Sequence, residues 1–311
     1  MNEVLSMNDS KRIAAIGECM VELSQAGDGL LKLGFAGDTS NTAVYLARLG
    51  AGRVDYVTAL GDDPYSDAMV EFWHGEGVGT RQVRRLEGKL PGLYMIRTTD
   101  DGERTFHYWR SVSAARELMG EDLADLAPPL LQSDLIYFSA ITLQILEPAH
   151  RRALLSLIEL ARSSGARVAF DSNYRANGWH SKRTARMSIS AAYRIADIAL
   201  PTFDDEQAVF GDADPMATMT RLNRYGIGEV ALKCGADGAW VGGRGLAPVR
   251  VPVARETRAV DTTGAGDSFN AAYLAARLEG ATTREAATAG NRLASIVVTR
   301  PGAIIPKDEM P

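Results

Sequence analysis

Residues Asp261–Gly280 read DTTGAGDSFNAAYLAARLEG. Phe269, Ala272, Tyr273 and Ala276 fall at i, i+3, i+4 and i+7, which predicts an amphipathic helix from Gly264 onward that Gly280 closes. Gly264, Ala265 and Gly266 stand at the N-terminal end of that helix. Bare backbone N–H groups there, with the helix dipole, favour an anion by roughly 0.3–1 kcal/mol. The spacing is not GxxxxGK[ST], because no lysine follows Gly266, and not GxGxxG, because Phe269 and Asn270 stand where a third glycine would be sought. Asp267 is harder to place. A carboxylate beside an anion site repels the anion, yet has reason to be there if it takes the proton of an attacking hydroxyl. Capping the helix is the plainer alternative, and these residues alone leave both open.

Working outward, short apolar runs alternate with helical patterns: IAAIG from Ile13, VDYVTALG from Val54, DLIYFSA from Asp134, RVAFDSN from Arg167, DIALPT from Asp197 and EVALKCG from Glu229. Runs this short, closed by small or turn residues, suit buried parallel strands. Between them lie helices such as PAHRRALLSLIELARSSG, with Pro148 in the first turn and Gly165 as the stop. The pattern predicts an α/β domain: a mostly parallel central sheet flanked by helices on both faces. In such sheets, ligands lie beyond the carboxyl ends of strands, where helices begin. Two segments break the rhythm, ECMVELSQ from Glu18 and GLYMIRTTDDGERTFHYWR from Gly92, the latter a hairpin turning at Asp101-Gly102. The expected assembly is one domain over residues 1–311 carrying a small antiparallel β-sheet lid, its segments at about 18–36 and 80–111.

With 46% hydrophobic and 23% charged residues the chain is an ordinary globular one. Its net charge of −5 and lack of any lysine/arginine run argue against nucleic acid as a partner. Cys19 and Cys234 are too few for a disulfide framework, and are expected as buried free thiols. No apolar leader or run approaching the ~18 residues of a membrane span is visible, so a cytoplasmic setting with no membrane contact is expected.

DTTGAGDSF closely resembles the C-terminal signature of the ribokinase-like, or PfkB, family of carbohydrate kinases, and the likeness extends through GECMVEL, GFAGDTSNTAVYLARLG and YVTALGDD. Within that family LPGLYMIRTTDDGERTFHYWR, FDSNYR with the following Trp179, and RPGAIIP are most like the members acting on 2-keto-3-deoxygluconate. The resemblance implies transfer of the γ-phosphoryl of ATP, with Mg2+, to the C6 hydroxyl of this sugar acid. It implies Asp267 as catalytic base and the Gly264, Ala265 and Gly266 amides as anion hole. A neutral-sugar kinase such as a fructokinase is the alternative within the fold, and a sugar sensor without catalysis the alternative outside enzymes.

For the sugar, the family pattern falls on Gly37, Asp38 and Asn41, with Ala36 where a second glycine is frequent, and on Glu18. A sugar acid needs a cation for its carboxylate: Arg110, ending the hairpin, and Arg175, just past a strand, are the candidates, with Tyr94 and Tyr108 as walls and hydroxyl contacts. For the nucleotide the resemblance points to Lys233, Gly235, Gly238, Gly264, Gly266, Asn291 and Gly302. The chain departs from the family at PTFDDEQAVFG, where Thr202 and Asp205 replace Asn and Glu of an Asn-x-x-Glu motif; Asp205 or the adjacent Glu206 is the candidate for Mg2+. Asp261 and Thr263 lie where several members bind a monovalent cation such as K+. A homo-oligomer, a dimer through the lids, is also expected.

Overall fold

The computed structural model describes residues 10–27, 29–98, 104–120, 126–254 and 257–311. The Asp101-Gly102 turn and the first nine residues lie outside them. The strands are β1 (Arg12–Ile16), β2 (Met20–Gln25), β3 (Leu31–Ala36), β4 (Arg53–Leu60), β5 (Gly79–Arg85), β6 (Gly92–Thr98), β7 (Arg104–Trp109), β8 (Leu135–Ser139), β9 (Arg167–Asp171), β10 (Ile198–Ala199), β11 (Glu229–Lys233), β12 (Ala239–Gly243) and β13 (Leu246–Val251). The helices are α1 (Asp38–Arg48), α2 (Pro64–Gly75), α3 (Ala127–Leu131), α4 (Ala140–Ile145), α5 (Pro148–Ser163), α6 (Lys182–Ile195), α7 (Phe203–Phe210), α8 (Pro215–Arg224), α9 (Ala265–Leu278) and α10 (Thr283–Val297).

A nine-stranded sheet runs in the order β13-β12-β11-β10-β9-β8-β1-β4-β5. The strands from β11 to β5 pair in parallel, and β12 and β13 extend the sheet as an antiparallel hairpin. Strand alternation sends β1 side chains to opposite faces. Ile13 and Ala15 join Tyr56 and Tyr137 beneath α1, α2, α9 and α10, whereas Ala14 and Ile16 join Phe138 and Phe170 beneath α5 and α6. Each of the isoleucines and phenylalanines among them contributes about 1.5–3 kcal/mol on leaving water, so two covered faces fix the register of the central strands. Helix starts follow local chemistry: Asp63 accepts from the Tyr65 and Ser66 amides at α2, and Thr282 with Glu285 forms a capping box at α10.

The second sheet has the order β3-β2-β6-β7. It is mixed, not wholly antiparallel: β2–β3 and β6–β7 are antiparallel, but β2 and β6 are parallel. The reason lies in the body, since β2 follows β1 and β6 follows β5, and these two strands run the same way in the central sheet. Residues 80–85, expected in the lid, instead form most of β5, the edge strand paired with β4. Its sequence GTRQVRR carries arginines on both faces, Arg85 on one and Arg84 on the other, as suits an edge strand that meets solvent. Cys19 is buried and Cys234 half-buried, both free. No helix among the described residues is long and apolar enough to cross a membrane.

Candidate active site

The carboxyl ends of β1, β8, β9 and β11 and the N-termini of α1 and α9 converge beneath the lid. Gly264 precedes α9 with φ 74°, and a Cβ there would lie 2.5 Å from the Ala303 carbonyl oxygen, so glycine is required by the fold. Gly266 differs: a Cβ built on it meets only Lys233, at 3.7 Å, an ordinary contact. Asp267 follows in the first turn of α9, half-buried, and its Oδ2 accepts from Asn41 Nδ2 at 2.8 Å. Asn41 lies in the first turn of α1, so the two motifs read at opposite ends of the chain meet through this bond.

Asp38, at the start of α1, accepts from Asn173 Nδ2 at 2.8 Å. Burial, then the nearby Asp38 carboxylate, push the Asp267 carboxyl up to about 8, with Asp171 adding to the rise and the Asn41 hydrogen bond and Lys233 ammonium opposing it. A carboxyl poised near neutrality beside a helix N-terminus can accept a proton from a hydroxyl while the bare amides face an anion.

Several candidate residues occupy positions other than those expected. Lys233 does not reach into the cleft: it is 6% exposed, and its Nζ donates to Asp171 Oδ2 at 2.8 Å and Asn270 Oδ1 at 2.9 Å. Asn291 donates to the Val251 and Pro252 carbonyls at 2.9 and 3.3 Å, joining α10 to the end of β13. Gly235 and Gly238, at φ 55° and 87°, make the turn between β11 and β12, and a Cβ on Gly238 would strike the Val251 carbonyl. Gly37 is extended, and its missing Cβ makes room for the Glu18 carbonyl oxygen, 2.1 Å from where that atom would lie, so the protein backbone itself needs a glycine there.

Glu18 is buried and accepts from both Arg110 and Ser113, so in the free protein it braces the lid. Arg110 thereby points from the lid toward the body with its guanidinium oriented, near the Tyr108 ring. Tyr94 donates to Glu22 across the β2–β6 pair and stands 5.7 Å from Tyr108, ring to ring. Arg175 is 56% exposed and lies 3.6 Å from Asp205.

Of the two Mg2+ candidates, Glu206 fails on geometry. It is fully buried against α6 and α8, accepting from Tyr193 and Arg221, and burial raises its carboxyl against the pull of Arg221. Helical periodicity explains this, since neighbours in a helix face about 100° apart and only Asp205 turns toward the cleft. Asp205 accepts from the Tyr174 amide, and burial pushes it up to about 6. Asp261 accepts from the Thr263 amide and hydroxyl and from the Gly302 amide, which fastens the loop before α9 to the C-terminal segment.

Missed in the sequence were Asp171, Asn173, Asn270, Tyr137 and Thr42. Asn270 Nδ2 donates to Asp171 at 2.6 Å and to Tyr137 Oη at 3.0 Å, while Thr42 Oγ1 contacts Tyr137 Oη and the Asp267 carbonyl, both at 3.3 Å. Asp171 and Asn173 carried a signal, being polar residues directly at the carboxyl end of a strand. A surface cavity of about 430 Å³ lined by Arg162, Arg167, Asp197 and Glu229 opens at the other end of the sheet, where its arginines already pair with its carboxylates.

A carboxylate at a bare helix N-terminus, beneath a β lid on a parallel sheet, is the arrangement that known proteins of similar sequence can be asked about. The 2-dehydro-3-deoxygluconokinase of Escherichia coli K12 is 45% identical over 308 residues, which span 97% of this chain and 99% of that protein. The 2-dehydro-3-deoxygluconokinase of Dickeya dadantii is 46% identical over the same shares. The crystal structure of 2-dehydro-3-deoxygluconokinase from Thermotoga maritima superposes with a TM-score of 0.83 at 22% identity, covering 97% of each chain, and supports the fold. The model of the pfkB family carbohydrate kinases matches residues 10–310, and together with full-length relatives at this identity it shows that the chain belongs to that family.

Proposed function

We propose that this chain transfers the γ-phosphoryl group of ATP to the C6 hydroxyl of 2-keto-3-deoxygluconate, giving 2-keto-3-deoxy-6-phosphogluconate. The observation that carries the reading is Asp267, held by Asn41 directly beyond the bare turn, in a chain similar end to end to the enzyme of Escherichia coli. In this reading Asn41 fixes one carboxylate oxygen and leaves the other for the C6 hydroxyl. The O6–phosphorus bond forms as the bond from phosphorus to the β–γ bridging oxygen breaks, and the O6 proton passes to Asp267. The Gly264, Ala265 and Gly266 amides face the charge that develops on the phosphoryl oxygens.

Magnesium, when bound with the phosphates, would supply further charge neutralisation, and Asp205 is the carboxylate that would hold it, directly or through water. The Asp261 and Thr263 loop is the place for a monovalent cation such as K+, where it would stiffen the joint between α9 and Gly302. Lys233 and Asn291 act from inside the protein, and Gly235, Gly238 and Gly302 shape the backbone around the nucleotide.

Arg110 and Arg175 are assigned to the acceptor's carboxylate, and the large exposure of Arg175 in the free protein leaves it able to swing from Asp205 onto that group. Arg175→Ala is expected to raise KM for the sugar acid roughly tenfold or more, since a charge-assisted bond is worth about 1.5–3 kcal/mol. KM for ATP should stay near its wild-type value. Initial-rate measurements decide it, and an unchanged sugar KM removes Arg175 from the site.

Exposed on the lid, Leu31 and Leu33 of β3 share one face with Trp109 of β7, while Phe106 and Tyr108 of β7 lie on the other face. Exposed apolar side chains of this kind suit pairing with a second copy. Light scattering should give twice the chain mass, and Trp109→Glu should halve it; a monomeric wild type ends the dimer reading.

The function itself is tested by ADP release with Mg2+, comparing 2-keto-3-deoxygluconate with gluconate, fructose and ribose at equal concentration. The ketodeoxy acid should lead in kcat/KM by well over tenfold. A lead by fructose would favour the neutral-sugar reading, and no turnover with any acceptor in a folded, ATP-binding protein would favour a sensor.

A further inference from the structure

We propose that Lys233 is a positioning residue beside the Gly264–Gly266 turn, tying Asp171 of β9 to Asn270 in the second turn of α9 and offsetting the Asp171 charge near Asp267. The inference rests on the reading of Asp267 as the base. It differs from a phosphate-binding lysine, because the ammonium is buried and bonded to Asp171 and Asn270.

The geometry is that of a closed buried layer. Lys233 Nζ bonds Asp171 Oδ2 and Asn270 Oδ1, and Asn270 Nδ2 bonds the same Asp171 oxygen and Tyr137 Oη. Asp171 Oδ1 takes the Asn173 amide at 3.0 Å, and Asn173 Nδ2 in turn holds Asp38. Lys233, Asp171, Asn270 and Tyr137 are all nearly or fully buried, at 6%, 3%, 0% and 0% exposure. The ammonium also lies close to the bare turn, 3.7 Å from where a Cβ on Gly266 would stand.

The groups around Asp267 come from every element packed there: Asp38 and Asn41 from α1, Tyr137 from β8, Asp171 from β9 and Lys233 from β11. Two carboxylates face a third, and Lys233 is the cation among them. Without it Asp171 becomes a buried carboxylate with no ionic partner, which acts on Asp267 as a like charge at short range and makes its ionised form harder to reach. The same loss leaves Asn270 Oδ1 without its ammonium donor, so α9 is held to β8 and β9 only through Asn270 Nδ2.

The test compares wild type, Lys233→Met and Asp171→Asn by the pH dependence of kcat/KM, with thermal unfolding to check the fold. Wild-type rate should fall on the acid side with an apparent pKa well above the usual carboxylate range, because the ionised Asp267 is the active form. In Lys233→Met that acid limb should move up by roughly one pH unit, kcat near neutrality should fall about tenfold, and KM for ATP should stay within about threefold. A rise of tenfold or more in KM for ATP with an unmoved limb would mean direct phosphate contact and overturn the inference. A loss of kcat equal at every pH, with the limb unmoved, would mean a merely structural lysine and overturn it too.

Asp171→Asn keeps the hydrogen-bonding shape and serves if Lys233→Met does not fold: its limb should move down, and an unmoved limb overturns the inference. The Asp267 carboxyl can also be titrated by NMR in the free protein, assigned by its absence in Asp267→Asn. A resonance that moves as described in a protein with no kinase activity supports the inference while the reading of the reaction fails; one that does not move overturns the inference whatever the activity.

Discussion

Replacing Asp267 by Asn is expected to lower kcat by about three orders of magnitude, leave both KM values within a few fold, and raise the thermal midpoint at pH 8 and above. The loss of rate follows from removing the proton acceptor, an effect of roughly 10²–10⁴-fold for general base catalysis. Asn keeps an oxygen for the Asn41 donor, so the first turn of α9 should hold. The gain in stability follows from linkage. An unfolded aspartate ionises near 3.9, whereas burial and Asp38 hold the folded Asp267 up to about 8. Between those values the folded state keeps a proton that the unfolded state has released, so the contribution is fully present below about 4 and is lost as pH rises through the folded value.

Above that window wild type carries an ionised, half-buried carboxylate beside Asp38, and the variant does not. The two midpoints should therefore coincide near pH 4 and separate as pH rises, with the variant above. Partial exposure of Asp267 to the cleft screens the effect, so its sign is the diagnostic. A variant that keeps kcat within tenfold, or that is less stable than wild type at pH 8, would remove Asp267 from the role of base.

How much of this was legible in the sequence depends on the range of the interactions involved. The central strands from Ile13, Val54, Asp134, Arg167, Asp197 and Glu229 could be read because burial on two faces writes itself as a continuous apolar run. The edge could not be read so well. GTRQVRR meets solvent, carries three arginines and passes for a loop, and the β12–β13 hairpin is broken by glycines, one of them at a register shift. The lid's mixed pairing depends on how β1 and β5 leave the body, which no local pattern records.

The site divides the same way. Asp267, Asn41 and the bare turn sit in local contexts, the start of a helix, that leave a mark in sequence. Lys233 and Glu206 were misplaced because their partners, Asp171 and Asn270 for one and Tyr193 and Arg221 for the other, are supplied by other elements. A lysine ending a strand beside a glycine turn looks the same whether it faces the ligand or the core. The bracing role of Glu18 is hidden for the like reason that its partners, Arg110 and Ser113, lie more than ninety residues on.

The two glycines of the GAG triplet are identical in sequence and opposite in what they do, and this yields the second large expectation. Gly266→Ala should lower kcat by roughly 10²–10³-fold, the range for losing an oriented oxyanion donor, while the protein folds normally and its midpoint stays level or rises by up to about 3 °C. The protein side of Gly266 offers no obstacle, since the new methyl would meet Lys233 Nζ at 3.7 Å, and alanine in a first helical turn is favoured over glycine by a few tenths to about 1 kcal/mol. Its harm must come from the ligand side, where the methyl would stand between the amides and a phosphoryl oxygen. Gly264→Ala is the control with the opposite signature: its positive φ and the Ala303 backbone 2.5 Å away make it costly to the fold, so its midpoint should drop along with its activity. Initial rates beside thermal unfolding separate the two. If Gly266→Ala turned over within threefold of wild type, the bare turn would not be where the phosphoryl group is held, and the anion would have to be sought elsewhere in the cleft.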